Sequence, residues 1–213
     1  MNAKQGVDYL ALLEGILRSG LQDLSDQFTQ QQKEYVISSQ EMDGGFSDRT
    51  GYQSDVYYTH FGLRCGRLLG VGSSDLFWCT ASDYLLQYDK KPYDMADAYS
   101  EAYCRALLQK LGLKAWSLET RAARKEKLAG LCWEHMPFER NSDKQHKEKT
   151  GVYRVFLAWL TLRLLDRETP SGERIAQFVL SRRCEDGGFC DMAQADHAGI
   201  NPTAAAVTLL KNC

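Results

Sequence analysis

The chain has 213 residues, 44% of them apolar, and a net charge of -2. That length suits one domain, residues 1–213, and that apolar share builds an ordinary globular core. The near-neutral balance gives no electrostatic case for nucleic acid or an anionic membrane, and no apolar run approaches the ~18 residues of a membrane span.

Helical periodicity dominates. Residues 7–17 place Tyr9, Leu12, Leu13, Ile16 and Leu17 on one face of a first helix. A second helix is predicted over 27–39, stopped by glycines 44 and 45, which tolerate the left-handed conformation of a helix exit. Further helices follow over 55–69, 75–87 (entered through Ser74-Asp75), 95–111, 118–133, 151–165, 171–183 and 201–211. The only short run rich in β-formers, "DVYYTH" at 55–60, is assigned to a helix start. The helices alternate in character. Those at 27–39, 75–87, 118–133 and 171–183 are the more polar. Those at 55–69, 95–111, 151–165 and 201–211 are apolar over much of their circumference, as in "VYRVFLAWLTLRLL", and so are expected to be buried on several sides. The order is outer helix, turn, inner helix, four times, after one N-terminal helix.

The seven cysteines include no CxxC pair, and the start carries no signal-peptide pattern. They read as reduced, mostly buried thiols of a cytoplasmic protein. Cys184, Cys190, Asp191, Asp196 and His197 crowd one stretch without matching a zinc template, and read as a polar loop with one or two buried thiols. His135 and His146 sit in a charged segment, 134–149, read as a solvated connection between helices.

The sequence also repeats itself. "SSQEMDGGFSD" (38–48) and "SRRCEDGGFCD" (181–191) share Asp-Gly-Gly-Phe, 143 residues apart. Upstream, "EYVISSQ" pairs with "QFVLSRR"; downstream, Thr59 pairs with Thr203. The spacing suits about three repeats of roughly 48 residues, in the range of helix-pair repeats. The glycine pair is expected to turn the chain from an outer to an inner helix, with Phe46 and Phe189 pinning the turn to the core.

These residues resemble a known family. Gln40, Asp43-Gly44-Gly45-Phe46, Asp48-Arg49, Asp55 with its following aromatic pair, Thr59, Phe61-Gly62 and Leu68-Leu69-Gly70 are similar to the repeat of protein prenyltransferase β subunits. The likeness extends more distantly to squalene and terpene cyclases, and "EDGGF…NPTAAAV" resembles uncharacterised bacterial prenyltransferase-like proteins. The resemblance implies an all-α fold, an α/α toroid whose inner helices ring an apolar cavity. Here it would be an incomplete toroid of about four outer/inner pairs plus the N-terminal helix. It also implies an isoprenoid or other apolar ligand, held by aromatics of the inner helices: Tyr57, Tyr58, Phe61, Tyr99, Tyr103, Tyr153, Phe156 and Trp159. Arg49 and Arg154, at or before inner-helix starts, would meet a diphosphate at the cavity mouth, since arginine's fork suits phosphate oxygens. Read singly, the same aromatics suit a core and the arginines suit structural ion pairs.

The resembled transferases activate a thiolate with zinc held by Asp-x-Cys and by the His of an Asp-x-Tyr-His-Thr run. Here that run is Asp55-Val56-Tyr57-Tyr58-Thr59: Tyr58 stands in place of the His, and no Asp-x-Cys occurs. The cyclases' Asp-x-Asp-Asp acid is absent too. His60 lies about 200° round the helix from Tyr58. No metal or other cofactor is therefore expected, and transferase activity is not assigned. The candidate catalytic residues are Asp55 and Tyr58, three apart on one helical face. Asp55 reads first as an N-terminal cap, since Asp before an apolar helical run is a start signal, and alternatively as a general base or polar anchor for a ligand. The alternative function is a non-catalytic scaffold that binds a protein through the open toroid edge. Residues 202–210 carry no charge, so the C-terminal inner helix is expected to be covered by a second copy, another protein or further chain.

Overall fold

The computed structural model describes residues 9–49, 51–90, 92, 94–138 and 150–212. Among these residues it is all-α, without a strand: α1 (Tyr9–Leu21), α2 (Asp26–Ser38), α3 (Val56–Leu68), α4 (Leu76–Gln87), α5 (Met95–Lys110), α6 (Arg121–Glu134), α7 (Val152–Leu164), α8 (Gly172–Leu180) and α9 (Ile200–Asn212). Every helix predicted from periodicity is present. His146 and most of the charged connection lie outside the described residues. No helix among them is long and apolar enough to cross a membrane.

Local chemistry starts the helices. Ser25 caps α2, accepting from Phe28 N, and Asp94 caps α5, accepting from Ala96 N and Asp97 N. Such caps satisfy amides that have no partner inside the helix, each worth about 1 kcal/mol. Asp75 sits at the cap position of α4 but makes no side-chain cap bond.

The described residues divide into two compact units, one up to residue 124 and one from residue 125. In the first, α3 packs against α5, α1 and α2 lie on α3, and α4 lies on α5. Inner helix thus meets inner helix, and each outer helix backs its own partner. Ten residues of α5 are buried and none of α2. The outer helix α4 departs from the expected polarity, burying Phe77, Trp78, Ala81, Ser82, Tyr84 and Leu85. The first glycine turn lies against it. Gln40 Nε2 donates to Phe77 O at 2.9 Å, and the Phe46 and Phe77 rings meet edge to face. The face assigned to α1 is only partly used, with Leu12 and Ile16 still more than half exposed.

A charged cluster lies inside this unit. Glu101, fully buried on α5, accepts from Arg105 Nε at 2.9 Å and from Arg124 Nη2 at 2.6 Å. The guanidiniums spend their other donors on backbone carbonyls: Arg105 on Ala115 and Tyr88, Arg124 on Asp89 and Lys90. A buried carboxylate is tolerable only when it is paired and hydrogen-bonded in this way.

In the second unit α9 packs against α7 and α8. Nine residues of α7 are buried, as its all-round apolar sequence requires. α9 buries Ala205, Ala206, Thr208 and Leu209. It leaves Ile200 and Val207 on an exposed stripe.

The two Asp-Gly-Gly-Phe turns are near-copies. Gly44 and Gly187 both have φ +88°, a conformation that L side chains avoid. Gly45 N donates to Asp43 Oδ1 and Gly188 N to Asp186 Oδ1, both at 3.0 Å. Phe46 N donates to Thr59 Oγ1 and Phe189 N to Thr203 Oγ1, again both at 3.0 Å. Each threonine, in the first turns of α3 or α9, thereby fastens its turn to the inner helix that follows. Both phenylalanines are buried, as expected of pins.

Candidate functional site: the aromatic face of α3

The site is built on the first two turns of α3. Asp55 Oδ1 accepts from Tyr57 N at 2.7 Å and from Tyr58 N at 3.4 Å, so Asp55 is the helix cap. Beyond it, Val56, Thr59, His60 and Leu63 turn inward. Tyr57, Tyr58 and Phe61 remain 38%, 40% and 44% exposed. Their rings are ordered against one another. Tyr57 meets Tyr58 at 5.4 Å and Phe61 at 5.0 Å, both edge to face, the geometry the ring quadrupole favours.

Behind this face lies His60, 4% exposed. Its ring centroid is 5.0 Å from Phe61, 5.2 Å from Tyr99 and 4.6 Å from Tyr103. Its Nδ1 is 3.5 Å from Ser100 Oγ, and its Nε2 has no hydrogen-bond partner among the described residues. Burial first, and the Arg64 guanidinium second, push the imidazole down to about 3, so it is neutral at ordinary pH. Arg64 lies 6.0 Å from the Tyr103 ring centroid. The Tyr103 phenol is pushed up to about 12, mainly by burial. The arrangement is an uncharged aromatic wall, backed by an imidazole that can accept or donate one hydrogen bond. A small recess nearby is lined by Leu10, Glu14, Arg64, Arg67, Leu68 and Tyr103.

Six residues singled out from sequence thus come together: Asp55, Tyr57, Tyr58 and Phe61 on α3, joined through His60 to Tyr99 and Tyr103 on α5. Arg49 is exposed in the loop before α3, where its carbonyl accepts from Ser47 Oγ at 2.6 Å. Tyr153, Arg154 and Trp159 belong to α7 in the second unit. Tyr153 is 42% exposed, with Phe156 beside it at 6.3 Å, and Arg154 is exposed. Trp159 is buried beneath the Arg163 guanidinium at 4.9 Å. Sequence reasoning placed His60 on a different side from Tyr58, and it is buried where Tyr58 is exposed. What that reasoning missed is that His60 backs the aromatic wall. The only available signal was its place one turn before Leu63 and Arg64 in a helix with an inward apolar face.

Across the whole chain, a family model described as the prenyltransferase alpha-alpha toroid domain matches residues 9–76 and 86–212. The chain belongs to this family. No curated protein and no solved structure matches it significantly. For a member of the toroid family, the donor set is the decisive chemistry. Tyr58 carries a phenol, which is not among the usual zinc donors: cysteine sulfur, histidine nitrogen and carboxylate oxygen. Asp55, the carboxylate at the start of the same helix, already holds two backbone amides. Among the described residues no three His, Cys, Asp or Glu side chains are grouped to hold a metal ion. The described residues of this toroid domain therefore do not fit the zinc site of the prenyltransferases it resembles.

Proposed function

We propose that this toroid-family protein binds an isoprenoid or other apolar chain against the aromatic face of α3 and α5. The carrying observation is that Tyr57, Tyr58 and Phe61 stay exposed as one ordered cluster on a helix whose opposite side is buried. A grouped apolar surface of this kind usually marks a binding site, whereas single exposed apolar residues mark nothing. Asp55, at the start of the same helix, and the Tyr58 phenol would meet the polar end of such a ligand. We also propose that residues 1–213 form one domain, a reading supported by the family matches at residues 9–76 and 86–212.

The test is lipid analysis of the purified protein by mass spectrometry, followed by titration with a fluorescent isoprenoid analogue. Tyr58→Ala and Phe61→Ala should each weaken binding about tenfold, the worth of one aromatic ring's burial at ~1–2 kcal/mol. Both side chains are already 40% and 44% exposed, so stability should fall less than on truncation of a fully buried ring. Unchanged affinity in both variants, or no binding by the parent protein, would remove this reading.

A second reading, a non-catalytic scaffold, is favoured by the exposed stripe on α9, where Ile200 is 89% and Val207 43% exposed. Light scattering separates the two: a dimer dispersed by Val207→Asp supports the scaffold, and a monodisperse monomer removes the homodimer form of it.

A further inference from the structure

The second Asp-Gly-Gly-Phe turn carries two thiols where the first carries a carboxylate and a hydroxyl. Cys184 and Cys190 occupy the positions of Glu41 and Ser47, each 143 residues later. In the first turn those two side chains meet directly: Ser47 Oγ donates to Glu41 Oε1 at 2.9 Å. The backbone of the second turn repeats the first. Glu41 N donates to Gly45 O at 3.0 Å, and Cys184 N to Gly188 O at 2.9 Å. The repeat itself therefore shows that side chains at these positions face one another across the turn.

The second turn adds its own evidence. Arg183 and Phe189 form an isolated antiparallel bridge, closed by the bond from Cys184 N and by one from Cys190 N to Arg182 O at 3.0 Å. In that register Cys184 and Cys190 are diagonal neighbours on the same face of the hairpin. Both thiols point to a single acceptor. Cys190 Sγ lies 3.3 Å and Cys184 Sγ 3.8 Å from Arg182 O. Desolvation, and then the hydrogen bond with the Cys190 thiol, raise the Cys184 thiol above its ordinary value, a further sign that the two groups meet.

We propose that Cys184 and Cys190 are a redox pair that closes to an intramolecular disulfide across this turn. The oxidant is a low-molecular-weight disulfide or a peroxide. With a disulfide, the Cys184 thiolate, the more accessible of the two, attacks one sulfur and expels a thiolate. The Cys190 thiolate then displaces the second thiol from the mixed disulfide. Two thiols of the protein are oxidised, one disulfide is reduced to two thiols, and the two protons pass to them. With a peroxide, Cys184 becomes a sulfenic acid while the peroxide is reduced to water, or to an alcohol if it is organic, and condensation with Cys190 then releases one molecule of water. Because the thiolate is the attacking form, closure quickens as pH rises. The bond ties down a stretch that also holds the start of α7. Asp191, next to Cys190, accepts from Val152 N through its carbonyl at 3.2 Å and from Tyr153 N through Oδ1 at 2.9 Å.

The experiment uses the full chain equilibrated in glutathione buffers of increasing oxidised fraction, alkylated, digested with trypsin and weighed. Cleavage after Arg183 and Lys211 leaves both cysteines in one peptide, 184–211. The expected product is that peptide short of two hydrogens and resistant to alkylation, restored by dithiothreitol, and absent from Cys184→Ser and Cys190→Ser. If both thiols remain alkylatable at the most oxidising ratio, or carry only glutathione adducts, the proposal fails. It fails equally if the disulfide forms only between chains.

Discussion

The paired glycine turns offer a matched experiment on what a motif glycine is for. Gly44 and Gly187 have the same φ of +88°, so alanine meets the same backbone strain at each, about 1–2 kcal/mol. Alanine also lowers the entropy of the unfolded chain equally at both, by about 0.4–1 kcal/mol, which offsets part of that cost. The surroundings differ. A Cβ at Gly187 meets nothing within 4 Å, whereas at Gly44 it falls 2.0 Å from Thr80 O and 2.4 Å from Thr80 C. Those atoms are backbone in the middle of α4, held by its hydrogen-bond ladder, so they cannot step aside as a side-chain tip could. Overpacking of this kind typically costs a further 1–3 kcal/mol. Gly187→Ala should therefore lose about 1 kcal/mol, and Gly44→Ala about 2–4 kcal/mol. Urea unfolding followed by far-ultraviolet circular dichroism measures both, and hydrogen exchange assigns each loss to the helices flanking its turn. Equal losses would show that φ alone explains the motif. A larger loss at Gly187 would refute the reasoning outright.

Three further outcomes are expected. Asp55→Ala should cost about 1 kcal/mol through the lost cap, while Asp55→Asn, which caps as well, should leave stability nearly unchanged; weaker ligand binding in the Asn variant would show that the charge serves the site, and unchanged binding that Asp55 is only a cap. Glu101→Ala leaves two guanidiniums buried or half-buried without their counter-charge and should cost about 3–5 kcal/mol in the same urea assay, so a loss below ~1 kcal/mol would show the cluster to be dispensable. His60 stays neutral in the folded chain down to about pH 3 but gains a proton near pH 6.5 when unfolded, so its contribution is intact above pH 6.5 and falls as pH drops toward 3. The expected slope from this group is about 1.4 kcal/mol per pH unit, and His60→Phe should remove it; an unchanged acid limb would mean that His60 titrates normally.

Much of the fold was legible because its signals are local. Helix positions follow from a period of 3.6, and the cap at Asp55 follows from a short acceptor placed before an apolar run, whereas the same pattern at Ser74-Asp75 gives a helix start without a side-chain cap bond. Both turns follow from a glycine that must take a positive φ. Each such signal is complete within four or five residues of chain, so it needs no knowledge of what packs nearby. The alternation of outer and inner helices came from the same source, through how much of each circumference is apolar.

Partner identity was not legible, because it depends on which faces meet. α4 reads as an outer helix, yet six of its residues are buried, since the first glycine turn presses on a side that its sequence alone leaves unassigned. Tyr58 and Trp159 are both aromatics on inner helices; one is 40% exposed and the other 3%. Glu101 looks like a solvated charge until Arg124, twenty-three residues on, closes on it. His60 reads as a stray histidine until Tyr99, Ser100 and Tyr103 of α5 surround it. In the sequence each of these side chains has only its chemistry. Its role was settled by neighbours gathered in space, several of them more than twenty residues away along the chain, because burial and pairing energies act through space and not along the backbone.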